Sequence, residues 1–217
     1  MAIIPADEKV FMVDKRTNTT YGGSKALQDM QQWYTMQDVS DSIQPYKVFT
    51  ALLTQSGSDS TESFIDSGDL SIGTTYYISA NDGLLADFTN VGAPNNEMGT
   101  YFIATGTTPN SWGTFSELGY VASAPIATVL ENTIGNVWFT YNGVGSYQIP
   151  FDACALIGLT LSNSTAFINN NSFSNKIVLT IFDDGDGPLV QIYTRFDDNT
   201  DGDGILQNTP IEIRIYN

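Results

Sequence analysis

An acidic stretch near the end of the chain has the residue types and spacing of a calcium-binding loop. Phe196–Gly204 reads FDDNTDGDG, in which Asp197, Asn199 and Asp201 alternate and Asp203 follows a glycine. Calcium coordination requires alternating oxygen ligands and a glycine that permits a sharp turn. The sequence therefore predicts a calcium site at Asp197, Asn199, Asp201 and Asp203, and calcium is the one candidate cofactor.

The match to a calcium loop is incomplete, which leaves a second interpretation open. The twelfth position is Asn208 rather than Glu, and no helix is predicted on either side. A second acidic turn, Asp183–Asp186, could lie close to the first in space. Both stretches are also typical of β-turns, in which Asp and Gly are common, and this interpretation is favoured.

The absence of histidine limits the catalytic chemistry that this chain could perform. Ser-His and Cys-His nucleophile systems and the usual zinc ligand sets all need histidine. A glycosidase with paired carboxylates is the remaining candidate, with Trp112, Trp138 and Tyr141 available to stack on sugar rings. Most acidic residues lie in turns rich in Gly, Ser and Asn, which is typical of solvated charge, so we predict that the protein is not an enzyme. The sequence has no GxGxxG motif between a predicted strand and a predicted helix, which is the pattern of a phosphate-binding loop, so nucleotide binding is not predicted.

Charge and hydropathy restrict the partners and the compartment. The 217 residues carry a net charge of −16, and no Lys or Arg occurs between Val48 and Asn175. Such a surface repels phosphate, so we expect neither nucleic acid nor a membrane as a partner. No apolar run approaches the ~20 residues that span a bilayer, and MAIIPADEK lacks the features of a signal peptide. We expect a soluble protein that is not secreted by that route.

The first 45 residues are predicted to contain a strand and one helix. Glu8–Asp14 is the predicted strand, followed by a turn-rich link, KRTNTTYGG. Ser24 is a suitable N-cap for a helix that ends near Ser40. Its apolar residues recur every three or four positions, so we expect the helix to pack on a sheet or on copies of itself. The residues of this stripe that we expect to make oligomer contacts are Leu27, Met30, Trp33 and Tyr34.

From Tyr46 onward the chain consists of short apolar runs bounded by turn residues, which predicts about ten strands. The predicted strands include Val137–Tyr141 and the segment ALIGLTL. In the terminal strand IEIRIYN the alternation predicts that Ile211, Ile213 and Ile215 point inward. Cys154 has apolar neighbours and is predicted to be a core residue. The fold class is therefore all-β, a β-sandwich or jelly-roll-like domain with one N-terminal α-helix.

The stretch Asp69–Trp112 is predicted to form a separate small β module within this domain. Its strands include Tyr76–Ile78 and Tyr101–Ile103, and its flanks, SGSDSTES and SELGYVASAP, are rich in turn residues. Both joins are expected at a loop tip on the surface, where insertions are tolerated. The predicted domains are an N-terminal segment (residues 1–45), a main β domain (residues 46–63 and 119–217) and an inserted module (residues 64–118).

Three segments resemble a module of virion proteins from tailed bacteriophages, including crAss-like phages. They are YKVFTALLTQSG, APIATVLENTIGNVWFTYNGVGSYQI and NTPIEIRIYN. The segments GDLSIGTTYYI and DFTNVGAPNNEMGTYFIATGTTPNSW resemble another phage-associated repeat. The resemblance covers about three quarters of the chain. It implies a structural component of the particle, such as a fibre, head fibre or capsid decoration protein.

The resemblance also implies a partner and a location. Proteins of this family are usually homotrimers that contact capsid, neck or tail proteins, and they offer no catalytic residues. The expected location is the virion, after assembly in the cytoplasm of the host bacterium. Residues 1–45 are nearly neutral and hold the predicted helix, so Leu27, Met30, Trp33 and Tyr34 are also candidate virion-anchoring residues. The alternatives are an adhesin that binds a host surface glycan, and a carboxylate glycosidase.

Overall fold

The computed structural model describes residues 11–14, 19–22, 45–81, 85–169 and 175–216. The chain divides into two units, Met1–Pro45 and Tyr46–Asn217. In the first unit, β1 (Phe11–Asp14) and β2 (Thr19–Gly22) form an antiparallel hairpin. The predicted link KRTNTTYGG therefore contains a strand. The predicted helix from Ser24 to Ser40, with its candidate contact residues, lies outside the described residues.

Residues 46–217 form an all-β sandwich, as the sequence predicts. Twelve strands make three antiparallel sheets, with one short α-helix, in the part of this unit that the structure describes. The elements in chain order are β3 (Tyr46–Thr54), β4 (Glu62–Ile65), β5 (Thr75–Asn81), β6 (Tyr101–Ile103), β7 (Ser116–Val121), β8 (Ile126–Asn132), β9 (Thr140–Gly143), β10 (Ser146–Ile149), α1 (Phe151–Ile157), β11 (Ser164–Ile168), β12 (Lys176–Asp183), β13 (Pro188–Arg195) and β14 (Thr209–Tyr216).

Two of the sheets form the sandwich. The first sheet has the order β11-β14-β3-β8 and the second has the order β12-β13-β10-β9. The predicted inward row of β14 is confirmed, because Ile211, Ile213 and Ile215 are at most 6% exposed. They share one core cluster with residues of the second sheet, including Tyr147 and Ile192. Burial of these large side chains provides the main stabilisation of the sandwich.

The third sheet, β4-β7-β5-β6, lies in the sequence between two neighbouring strands of the first sheet. β3 pairs with β8, with Thr54 opposite Ile126, and all four strands of the third sheet fall between them. The third sheet has its own buried cluster, which includes Ile78, Phe102 and Leu118. Residues 62–121, which contain this sheet, are called the inserted module below. The predicted limits of 64 and 118 fall inside β4 and β7.

Two predictions of local structure were wrong. The flank SELGYVASAP contains β7, which pairs with both β4 and β5 and so lies inside the third sheet. The segment ALIGLTL is not a strand, because its first residues belong to α1. That helix ends at Gly158, whose φ is 75°, and Leu159 N–H donates to the carbonyl of Cys154. This is a Schellman motif, and the glycine is what permits it.

The strand predicted at Val137–Tyr141 is also displaced. β9 begins only at Thr140, whereas Val137, Trp138 and Phe139 precede it as buried residues. Phe139 N–H donates to Thr75 Oγ1 in the inserted module rather than to a neighbouring strand. Cys154 is fully buried, as predicted, and burial raises the pKa of its thiol to about 11. No described helix is long and apolar enough to cross a membrane.

Candidate functional site

Three of the four predicted calcium ligands have separate hydrogen-bond or ion-pair partners. Asp201 pairs with the Nε of Arg195 at 2.9 Å, and the side-chain oxygen of Asn199 accepts a hydrogen bond from Lys176 Nζ. Asp197 is exposed. Asp203 instead points toward strands β9 and β10. Asn199 and Asp201 are thus occupied by contacts with basic side chains of the β12–β13 hairpin. The structure does not bring the four side chains together around one point.

The two acidic turns are not neighbours. Asp183 pairs with Pro188 at one end of the β12–β13 hairpin, and Lys176 pairs with Arg195 at the other end. Seven residue steps separate those ends, which corresponds to about 24 Å. Among the residues that the structure describes, no group of three or more His, Cys, Asp or Glu side chains could hold a metal ion. The calcium site stays a prediction.

Asp203 lies at the centre of a tyrosine cluster that joins the loop before β14 to the sandwich. Tyr141 donates to its Oδ2 at 2.9 Å, and Tyr147 donates to its Oδ1 at 2.7 Å. The backbone N–H of Gly145 also donates to Oδ1. Burial, together with the hydrogen bond and the charge of Asp203, raises the pKa of Tyr141 to about 12 and also raises the pKa of Tyr147. Both phenols therefore remain neutral donors at physiological pH.

Gln55 extends this cluster to the point where the chain leaves the sandwich. Its Oε1 is 2.8 Å from Tyr147 Oη and accepts from Gly204 N–H. Its Nε2 donates to the carbonyls of Gly57 and Ser123, at 2.7 and 3.2 Å. One buried amide thus holds the outgoing and returning chains side by side at the base of the inserted module. Such a fully satisfied buried polar group fixes a single arrangement of the segments that it joins.

In the inserted module, Asp87 performs a similar role among the loops. Its Oδ1 accepts hydrogen bonds from the N–H and Oγ1 of Thr89, and its Oδ2 accepts from Asn110 Nδ2 at 2.9 Å. Asn96 Nδ2 is a further donor. The bonds from Thr89 and Asn110 lower the pKa of Asp87 below its usual value. The carboxylate is therefore an ionised acceptor that holds three loop segments together.

An aromatic row crosses the third sheet in register. Phe64 on β4 lies opposite Gly119 on β7, which pairs with Tyr77 on β5, which pairs with Tyr101 on β6. The rings of Tyr77 and Tyr101 stack at 5.1 Å, and Tyr101 stacks on Trp138 of the sandwich at 5.3 Å. The Tyr101–Trp138 contact attaches the module to the sandwich. We call Phe64, Tyr77 and Tyr101 the aromatic row.

The outer end of the aromatic row has the chemistry to contact a ligand. Phe64 is 48% exposed, and its ring approaches Tyr77 edge-on at 6.4 Å. Burial and a hydrogen bond with the Glu62 carboxylate raise the pKa of Tyr77. The Glu117 carboxylate accepts from Ser79 Oγ on the same face. An exposed aromatic ring beside carboxylates and hydroxyl groups can bind a ligand that is apolar on one side and polar at its edge.

The sugar-stacking candidates from the sequence do not share a surface. Trp138 is 5% exposed and is covered by Tyr101. Trp112 donates its Nε1–H to the carbonyl of Gly68 and packs edge-on against Phe88. Tyr141 belongs to the Asp203 cluster. The aromatic row was missed because pairs such as Tyr76-Tyr77 predict strands but do not give the register that aligns them with Phe64.

No family model, curated protein or solved structure matches this chain.

Proposed function

We propose that this chain is a structural component of a tailed-phage virion, a trimeric head- or tail-associated fibre or decoration protein. In this proposal residues 1–45 attach to the particle and the inserted module is directed toward the surroundings. The resemblance of the segments described above motivates the family, and the expected partners are copies of the chain and capsid, neck or tail proteins.

The observation that carries the proposal is the way in which the inserted module is built into the sandwich. The module has its own buried cluster, and its two ends meet where Gln55 bonds both Gly57 and Ser123. An independent core on closely spaced ends allows a protein to carry a contact surface without interrupting its scaffold. That arrangement suits a protein whose scaffold is fixed to a particle while another part makes contacts.

Deletion of residues 1–40 tests the attachment. We expect the shortened chain to be soluble and folded but absent from purified virions, because the anchoring segment is lost. A chain that lacks the inserted module but keeps residues 1–45 is the matched control and should be incorporated. Immunoblots of purified particles measure both. Incorporation of the deletion variant at the wild-type level would refute attachment through residues 1–40.

Binding of a host surface glycan is a second candidate function, favoured by the outer end of the aromatic row. Sugar rings have apolar faces that can stack on Phe64 and hydroxyl edges that can donate to Glu62 or Glu117. On a glycan array we expect Phe64→Ala to reduce binding about tenfold. Phe115→Ala is the control, since Phe115 is 69% exposed and lies outside the row. An array with no bound glycan for the wild-type chain would eliminate this candidate.

A further inference from the structure

The outward side of the first sheet carries several large apolar side chains that stay exposed in the part of the chain that the structure describes. Alternation along β3 and β14 places Phe49, Ala51, Ile211 and Ile213 inward, so the residues between them point outward. We call this outward side the outer face. Its members include Thr50, Ile126, Thr128, Leu130, Phe167, Glu212, Arg214 and Tyr216.

Exposure on the outer face is high for such large side chains. Leu130 is 64% exposed, Phe167 is 50%, Tyr216 is 39% and Ile126 is 37%. Leu130 lies at a β-bulge, where the register of β8 shifts opposite Thr50. A bulge redirects side chains out of the regular alternation. Two of these side chains, Leu130 and Phe167, line a shallow groove of about 500 Å³ from its two sides.

Arg214 holds part of this face in a fixed arrangement. Its guanidinium lies 4.7 Å from the ring centre of Tyr46 and 5.4 Å from that of Phe167, and it forms an ion pair with Glu212. A cation placed between two aromatic rings restricts both of them. The entropy cost of ordering Phe167 in an interface is therefore reduced before any partner binds.

The charge of the outer face differs from that of the rest of the unit. Residues 46–217 contain 18 acidic and 4 basic residues, a net charge of −14. The outer face carries Glu131, Glu212 and Arg214, a net charge of −1, whereas Lys47 lies opposite the inward Ile215. A basic partner would be attracted to the acidic loops rather than to this face. An acidic partner meets the least repulsion here, and this chain is itself such a partner.

We infer that the outer face is the surface through which copies of this chain associate with one another. The Glu212–Arg214 pair makes the face self-complementary in charge, since each copy offers one acid and one base side by side. The four strands cover a flat area of about 500 Å² by strand geometry. With side-chain relief the accessible area is larger, close to the ~800 Å² per partner of a standard interface. The inference rests on the proposed function only for the expectation of more than one copy.

Light scattering on the full chain tests the inference. We expect the wild-type mass to be two or more times the 23.6 kDa of one chain. Leu130→Lys should weaken association about tenfold or more, because it places a charge in the apolar centre. Met98→Lys is the control, since Met98 is 67% exposed on the inserted module. Both variants reduce the net negative charge equally, so general repulsion between copies cannot explain a difference between them.

A cross-linking measurement covers the case in which Leu130→Lys fails to fold. Cys154, the only cysteine, is fully buried. An added cysteine is therefore the only reactive thiol. Thr128→Cys on the outer face should form cross-linked copies with a short bismaleimide, whereas Thr114→Cys, exposed in the module, should not.

A monomeric wild-type chain, an oligomer that Leu130→Lys leaves intact, or cross-linking at Thr114→Cys alone would overturn the inference. None of these results depends on virion incorporation, so failure of the interface and failure of the proposed function are distinguishable.

Discussion

At the scale of single residues, acidic side chains act mainly as hydrogen-bond acceptors that fix loops. Asp87 and Asp203 each accept three or more hydrogen bonds from neighbouring segments. From the sequence Asp87 is one acid in a turn-rich stretch, and Asp203 is a candidate calcium ligand or an ordinary turn residue. Their donors come from residues as distant as Asn110 and Tyr141, which only the folded chain brings near. The role of such an acid is therefore decided by tertiary contacts.

Asp87 gives a prediction of pH dependence. Its pKa is lowered in the folded state, so it stabilises the protein above the usual Asp pKa of 3.8 and loses that effect as the pH falls through the lower folded value. We expect Asp87→Asn to lower Tm at pH 7. The difference in Tm from the wild type should shrink as the pH is reduced below 4.

Thermal unfolding followed by circular dichroism between pH 7 and pH 2 measures this effect. Asp66→Asn removes the same charge from an exposed turn of the module and controls for net charge. If the Asp87→Asn difference in Tm stays constant across the range, the ionised carboxylate is not what holds the loops.

At the scale of elements, the third sheet depends on Gly119 in β7, the strand that lies between β4 and β5. A Cβ on Gly119 would lie 2.2 Å from the ring of Tyr77. The ring rests on the backbone of β7, and this position allows the aromatic row to cross the sheet. The sequence predicted β5 and β6 correctly from their short aromatic runs but assigned the segment around Gly119 to a turn. Glycine is a frequent turn residue, and its use under an aromatic ring depends on a partner strand that the sequence does not reveal.

Gly119→Ala should therefore destabilise the inserted module. Overpacking of this kind typically costs about 1–3 kcal/mol. In a Tyr77→Ala background the same substitution should cost much less, because the clashing ring is gone. Urea unfolding of the four proteins in this double-mutant cycle measures the coupling. Equal costs of Gly119→Ala in both backgrounds would refute the ring contact as the cause.

At the scale of the whole molecule, the sandwich and the inserted module each have a core cluster, and Ile103 of the module is buried in the cluster of the sandwich. Ala127 N–H donates to the carbonyl of Gly73, Phe139 N–H donates to Thr75, and Tyr101 stacks on Trp138. The ends of the module are adjacent, since a Cβ on Gly57 would lie 3.2 Å from Ser123 Oγ. The sandwich should therefore be able to close without the module, at the cost of exposing Trp138 and of losing Ile103 from its core cluster.

Replacing residues 59–121 by a short Gly-Ser link tests this independence. Gln55, Gly57 and Ser123 remain, so the polar cluster at the base is kept. We expect a cooperatively folding sandwich that is less stable by about 2–4 kcal/mol, because a large aromatic side chain loses its cover. Tyr101→Ala in the full chain is the matched control, as it uncovers Trp138 without removing the module. An unfolded deletion variant would show that the two cores form one cooperative unit.

The sequence by itself determined the all-β class, most strands, the inward isoleucines of β14 and the burial of Cys154. Each of these follows from local alternation or apolar neighbours, which pairing does not alter. Only the tertiary structure decided that SELGYVASAP forms a central strand, that FDACALI forms a helix, and that the acidic turns lie at opposite ends of a hairpin. It also decided that Phe64, Gly119, Tyr77 and Tyr101 form one row. Strand register and turn position are set by contacts between distant segments, and a one-residue shift would place a different face outward.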